Sequence, residues 1–244
     1  MHFSWNTVKQ QLLHFFFPRT CVACGCDLPW QTEAYLCAAC ASKLVRPGPL
    51  FCQRCGVNLP SGGAYCYACR GSKAKKYACR LIRSAWIFNT SSRALVHGLK
   101  YAHADYLAPH MGLQMARNFS TYPELAAAQL VMAVPLFPSR KRNRGYNQSE
   151  LLARWFSQYT GLPSEEGVLL RQRDTVSQTR LGRKARLENM SGAFVCVHPE
   201  KIKRKTILLI DDVATTGATL EGCAAALKAA GAKQVLAYTY AREN

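Results

Sequence analysis

Four C-x-x-C pairs, Cys21/Cys24, Cys37/Cys40, Cys52/Cys55 and Cys66/Cys69, hold the most specific chemistry in the first third of the chain. A two-residue turn aims both sulfurs of a pair at one ion. Two pairs complete the tetrahedral thiolate shell that Zn2+ takes in structural sites. The pairs therefore predict two structural zinc ions, each with four protein ligands and no open position for substrate or water. Redox C-x-x-C motifs or scattered free thiols do not account for four pairs in so short a segment. Gly25 and Gly56 follow the first and third pairs, where the turn needs a positive φ; Ala41 and Arg70 follow the second and fourth. That alternation is an internal repeat. It favours consecutive pairing, with Cys21, Cys24, Cys37 and Cys40 on one ion and Cys52, Cys55, Cys66 and Cys69 on the other. A cross-braced arrangement, Cys21, Cys24, Cys52 and Cys55 against Cys37, Cys40, Cys66 and Cys69, also satisfies the spacing. Cys26, Cys79, Cys196 and Cys223 fall outside the pattern and are expected to bind no metal.

The second chemistry lies in the run ILLIDDVATTGAT from Ile207 to Thr219. An aliphatic strand is expected to end in two acids, Asp211 and Asp212, before a small, hydroxyl-rich loop from Ala214 to Thr219 and a helix. Backbone N–H groups of such a loop and of the helix N-terminus bind phosphate. Thr215, Thr216 and Thr219 add hydroxyl donors, the small Ala214 and Ala218 leave room, and Gly217 lets the backbone approach closely. Asp211 and Asp212, just upstream, can accept hydrogen bonds from two ribose hydroxyls. The run lacks the G-K-[ST] of a Walker A loop. An ordinary strand-turn-helix with a capping Thr is the plainer alternative.

A third block, VPLFPSRKRNRGYNQS from Val134 to Ser149, follows a strand and opens a helix. Arg140, Arg142 and Arg144 in this basic loop can hold pyrophosphate, with the helix N-terminus near Asn147 behind them. On the Arg spacing alone, a solvated basic turn fits equally. Lys100, after a helix and before Tyr101, is a further candidate phosphate ligand or simply an exposed lysine.

Four aliphatics, an acidic pair, two residues and then T-T-G-A-T resemble the phosphoribosyl pyrophosphate (PRPP) signature of type I phosphoribosyltransferases. The wider arrangement resembles the ComF family: a short apolar stretch ending in Pro18 before the first knuckle, R-G-Y-N-Q-S at 144–149, and I-D-D-V-A-T-T-G-A-T at 210–219. The resemblance covers nearly the full chain. It implies an N-terminal double zinc ribbon, a type I phosphoribosyltransferase fold that binds PRPP with Mg2+, a part in the uptake of transforming DNA, and affinity for single-stranded DNA. It implies no particular acceptor, and no catalytic residue is assigned. Under this resemblance the basic segment Arg171 to Met190, with Arg180, Arg183, Lys184 and Arg186, corresponds to a flap that closes over pyrophosphate and excludes water. A flexible basic loop without a catalytic part is the alternative.

The elements that must position these residues follow from periodicity. Strand character runs over Ile82–Phe88, Leu130–Leu136, Ile207–Ile210 and Val235–Tyr240, and helical spacing over Ala94–Tyr101, Leu107–Asn118, Asn147–Tyr159 and Leu220–Ala230. Strands alternating with helices predict an α/β fold, a parallel sheet flanked by helices, with ligands at the carboxyl ends of the strands. The expected division is a lead-in helix over 1–20, the double zinc ribbon over 21–72 and the phosphoribosyltransferase-like domain over 81–244. The polar stretch Lys73–Lys76 reads as a linker, which predicts separate cores: losing the ribbon is expected to leave the second domain folded.

Lys and Arg number 32 against 14 Asp and Glu, a formal +18; two tetrathiolate zinc sites lower this to about +14. The balance points to a polyanion, either a phosphorylated small molecule or a nucleic acid. Between Ser139 and Lys205 stand 15 Lys and Arg against 6 acids, half the formal excess. No apolar run approaches the ~20 residues that span a bilayer. Leu12–Phe17, interrupted by His14, carries no small-residue cleavage site and reads as a docking helix, so no membrane insertion is expected and the compartment is expected to be the cytoplasm. Three functions compete: a phosphoribosyltransferase, a module that binds single-stranded DNA, and an adaptor for a competence helicase or channel component. An acidic pair beside the phosphate site favours the first, because a simple polyanion binder gains nothing from it.

Overall fold

The computed structural model describes residues 18–29, 34–70, 77–174 and 192–243. The lead-in over 1–17, the linker 73–76 and the flap residues Arg180, Arg183, Lys184 and Arg186 lie outside them.

Four parallel strands form the main sheet: β1 (Cys79–Ile87), β2 (Leu130–Ala133), β5 (Thr206–Ala214) and β6 (Gln234–Arg242), in the order β1-β6-β5-β2. Strand β5 is covered on both faces, which is why its first five residues are nearly all aliphatic rather than alternating. Its side chains still divide by parity. Leu208 and Ile210 pack with helices α3 (Thr90–Tyr101), α4 (Ala108–Phe119) and α6 (Gln148–Thr160) on one face. Ile207 and Leu209 pack with α7 (Ala218–Ala229) on the other.

Two expectations about these elements need correction, and one feature is new. Strand β5 does not stop at Ile210. Its ladder with β6 continues through Asp211↔Thr239 to Ala214↔Arg242, so both acids sit inside the strand. The basic block at 138–144 is not an open loop but a short helix, α5 (Pro138–Arg144), started by Pro138 and ended by Gly145 at φ +85°. A two-stranded antiparallel hairpin, β3 (Leu169–Arg171) with β4 (Phe194–Cys196), went unread because each strand is only three residues long.

The two ribbons repeat each other in backbone as well as sequence. In the first, Gly25 N donates to Cys21 O and Cys21 N to Cys26 O; in the second, Gly56 N donates to Cys52 O and Cys52 N to Val57 O. The second pair of each ribbon begins a single helical turn, α1 (Ala38–Ala41) and α2 (Tyr67–Arg70). The expectation of separate cores fails for the first ribbon, while Cys52, Cys55 and Cys69 of the second form a cluster of their own. Cys21, Leu28, Leu36 and Cys40 belong to the same buried cluster as Leu95, Leu99 and Leu107 of the α/β domain.

Candidate functional site

Each ribbon brings four sulfurs within 4.8 Å of one another: Cys21, Cys24, Cys37 and Cys40 in the first, Cys52, Cys55, Cys66 and Cys69 in the second. Pairing is thus consecutive, not cross-braced. The spacings Cys24–Cys37 (3.8 Å) and Cys55–Cys66 (3.6 Å) match the ~3.8 Å edge of a tetrahedron with Zn–S bonds of about 2.3 Å. The donor sets fit Zn2+, which holds each ribbon together and does no chemistry there.

The α/β domain places a second constellation at the carboxyl end of β5. Asp211 and Asp212 are 8% and 3% exposed. Asp211 Oδ1 accepts from Ser149 Oγ at 2.7 Å and from the Asp212 backbone N–H at 2.9 Å. Asp212 Oδ2 lies 2.7 Å from Lys100 Nζ. Burial, with the charge of Asp212, pushes the Asp211 carboxyl up to about 7, against the pull of Lys100 and the Ser149 hydroxyl. Burial works to lower the Lys100 ammonium, but the charge and hydrogen bond of Asp212, helped by Asp211, outweigh it and hold Lys100 above its ordinary value. A buried acid pair with one compensating cation is a charge arrangement under tension, of the kind that clusters at ligand sites.

Local sequence explains how these side chains arrive. Asn89 caps α3 through a reciprocal pair with Ser92, and the helix runs twelve residues to place Lys100 in its last turn. Asn147 accepts from Ser149 N to cap α6 while its amide donates to Val134 O at the end of β2, which sets Ser149 beneath Asp211. Tyr146 Oη donates to Leu99 O and ties the same junction to α3. The R-G-Y-N-Q-S run therefore works as a bracket for Asp211.

Beyond the acids, Ala214 ends β5, Thr215 is exposed, Thr216 is half-buried and Gly217 takes φ +77° as the cap of α7. Thr216 Oγ1 accepts from Ala218 N at 3.3 Å. Helix α7 starts two residues earlier than the spacing suggests, so Ala218 and Thr219 belong to its first turn rather than to the loop. Its N-terminal N–H groups point their dipoles toward the end of the strand.

The basic residues divide. Arg140, on α5, pairs with Asp174 at 3.3 Å. Arg144 meets Gln148 and lies over the ring of Tyr101 at 5.4 Å. Arg142 and Arg171 both line a cavity of about 710 Å3 with Leu136, Leu170 and Val195. Arg171 on β3, which the sequence places only within a flap, is lowered by burial and by the neighbouring charge of Arg140, and is held up in part by Asp174 and Asp211. It joins the candidate anion ligands. Ser149 is the other residue missed; only its place in the matched run could have marked it.

Residues 12–70 match the Double zinc ribbon domain family, and residues 124–244 match the Phosphoribosyl transferase domain family. Competence protein F of Haemophilus influenzae is 26% identical over 231 residues, 93% of this chain and 98% of that one. The DNA utilization protein YhgH of Salmonella typhimurium is 26% identical across 89% of this chain and 95% of its own, and competence protein ComFC of Bacillus subtilis is 25% identical across 88% and 90%. The chain is similar to these competence and DNA utilization proteins along nearly its whole length. Within the chain the acid pair, Ser149, Arg140 and the α7 loop all fall inside the phosphoribosyltransferase match. Lys100 does not. It comes from the segment between the two matched domains, so the Lys100–Asp212 pair ties that segment to the signature. Among the described residues, no helix is long and apolar enough to cross a membrane.

Proposed function

We propose that this protein is a member of the ComF family and binds PRPP or a related ribose 5-phosphate across Asp211–Thr219. The observation that carries the reading is the buried acid pair of β5 set directly ahead of the α7 N-terminus. Oδ1 of Asp211 is taken by its two internal donors, which leaves Oδ2 to accept a ribose hydroxyl. Thr215, Thr216 and Thr219, with the first N–H groups of α7, hold the 5′-phosphate. Arg140, Arg144 and Arg171, with the flap, hold the pyrophosphate. Mg2+ suits this site because its ligands are oxygens. It would be held by the pyrophosphate oxygens and would supply charge neutralisation there, without a dedicated protein cage. Transfer of the ribose 5-phosphate to an acceptor needs positioning and charge stabilisation more than a general base. The ligand site serves DNA utilisation, in keeping with the names of the relatives, and the protein works in the cytoplasm.

Calorimetry with PRPP, with and without Mg2+, tests the reading. The double variant Asp211→Asn/Asp212→Asn should lose at least about tenfold in affinity and Thr216→Val less. An unchanged affinity in the double variant removes the sugar cradle.

One observation favours a second reading, a binding module for single-stranded DNA. Tyr101 is 64% exposed beside the site with the Arg144 guanidinium over its ring, a platform on which a base can stack. DNA affinity should then fall with salt at a log–log slope of roughly −0.7 per phosphate neutralised. PRPP with Mg2+ should compete, and reversal of Arg183, Lys184 and Arg186 to Glu should weaken binding to all sequences alike. Salt-insensitive binding rejects this reading.

A further inference from the structure

The second zinc ribbon touches the candidate phosphate loop by two independent routes. The first is polar. Arg54 lies one residue before the metal ligand Cys55. It donates through Nη1 to Cys69 Sγ at 3.6 Å and through Nη2 to Glu221 Oε2 at 3.1 Å. Glu221 also accepts from the backbone N–H groups of Ala78 at 2.6 Å and Cys79 at 3.3 Å. The two side chains are only 15% and 19% exposed, so the pair is largely withdrawn from solvent screening. Glu221 stands in the first turn of α7, and its own N–H donates to Gly217 O at 2.9 Å. A shift of Glu221 therefore shifts the turn that opens at Gly217.

The second route is steric. Ile82 N donates to Arg54 O at 2.8 Å. A Cβ at Gly56 would lie 2.6 Å from Ile82 O, and a Cβ at Gly217 would lie 2.9 Å from Ile82 Cδ1. Knuckle, Ile82 and loop are in contact with no slack, and contacts this close transmit displacement instead of absorbing it.

The chemistry at the metal end suits the arrangement. Zn2+ held by four thiolates carries a net −2, and an N–H donor from a guanidinium offsets part of that charge at Cys69. The planar fork of Arg reaches a thiolate and a carboxylate at once; the single ammonium of Lys does not.

We propose that Arg54 and Glu221 are positioning residues that set the phosphate loop from the second zinc site, so that zinc at that site and a phosphorylated ribose at Ala214–Thr219 bind cooperatively. The coupling to ligand rests on the reading of that loop as a phosphate site; the positioning of the loop does not. By linkage, the factor by which zinc strengthens ligand binding equals the factor by which ligand strengthens zinc binding.

The test uses the full-length zinc-loaded protein and the variants Arg54→Met, Arg54→Lys, Glu221→Gln and Ile82→Val. Without ligand, amide hydrogen exchange over residues 215–222 should rise about tenfold in Arg54→Met and Glu221→Gln. The rise should be smaller in Arg54→Lys, which keeps a cation for one of the two polar contacts, and in Ile82→Val, which leaves the polar route whole. Unchanged exchange there, or a uniform rise across the whole chain, overturns the proposal. Cobalt substitution supplies the reciprocal readout. Ribose 5-phosphate should perturb the thiolate–cobalt absorption of the second site in the wild type and not in Arg54→Met, and an equal response in both overturns the coupling. If wild-type protein fails to bind ribose 5-phosphate, the phosphate reading falls and exchange alone judges the positioning. If Arg54→Met and Glu221→Gln do not fold, Arg54→Lys and Ile82→Val decide it: exchange over 215–222 identical to wild type in both rejects the proposal.

Discussion

The two ribbons share a sequence pattern and a backbone pattern, yet they attach to the α/β domain by opposite means. The first docks by apolar burial. Leu28 and Leu36 join the cluster under α3 and α4, and Val22 lies so close to α3 that a Cβ at Gly98 would sit 3.5 Å from its Cγ1. The second keeps its buried cysteines in a small core of its own and docks by arginines. Arg83, 4% exposed, spans Gln53 O, Ile82 O and Glu124 between the rings of Phe51 and Tyr122, while Arg54 reaches Glu221. The ribbons thereby support different halves of one site. The first backs the helix that delivers Lys100 to Asp212; the second backs the turn at Gly217. A duplicated module keeps its metal geometry because the thiolates demand it. Its outer face is free to diverge, because burial and charge pairing both secure an interface.

The comparison breaks most visibly at the metals. Cys40→Ser opens the first site inside the shared core, so the whole chain should melt in one transition, lowered by more than about 10 °C. Cys52→Ser should lower the midpoint less, because its cluster stands apart. Calorimetric traces that coincide for the two variants would erase the distinction. Next in size is the buried arginine. Arg83→Met strands Gln53 O and the Glu124 carboxylate and should cost about 2–4 kcal/mol in urea unfolding. Leu36→Ala in the first ribbon should cost a comparable 2–4 kcal/mol through its cavity alone.

A finer division appears in pH. Asp211 has a folded-state pKa of about 7, raised above an unfolded value of about 3.9. The folded protein therefore holds that proton more tightly than the unfolded chain. Stability from this group falls as pH rises from about 4 through about 7 and is level above that. Asp211→Asn removes the dependence. Its thermal midpoint should exceed that of the wild type by more at pH 8 than at pH 6, a window in which the thiolates keep their metal. An equal difference at both values contradicts the strained pair. The smallest effect belongs to the surface: Lys141→Ala breaks a half-exposed pair with Glu150 and should change stability by less than about 1 kcal/mol by thermal melt.

What was legible in the chain was whatever geometry forces locally. A thiolate knuckle needs its two-residue turn, and an aliphatic run followed by small residues and Gly marks a strand, a turn and a helix, so the cysteine pairs and the course of the backbone over Ile207–Thr219 could be read directly. The parallel sheet followed from alternation. Three things were not legible. The acids continue β5 because the β6 ladder carries them, against the tendency of charge to end a buried strand. Ser149 and Lys100 reach them from elements distant in sequence. The linker composition at 73–76 suggested independent cores, while the residues that join them, Arg54 and Arg83, look like ordinary surface arginines until their partners are seen.

The strand order has a consequence in time. Strand β1 pairs with β6, Cys79 opposite Val235, so β1 leaves the ribosome long before its neighbour exists. At ~5–20 residues per second that wait is on the order of ten seconds. The ribbons ahead of β1 can close on zinc at once, because each needs only a short stretch of chain. Two backbone bonds already run from them to β1, Ile82 N to Arg54 O and Ile87 N to Val45 O. A metallated ribbon is thus a partner made early enough to occupy part of a nascent strand that would otherwise offer its hydrogen bonds to another chain.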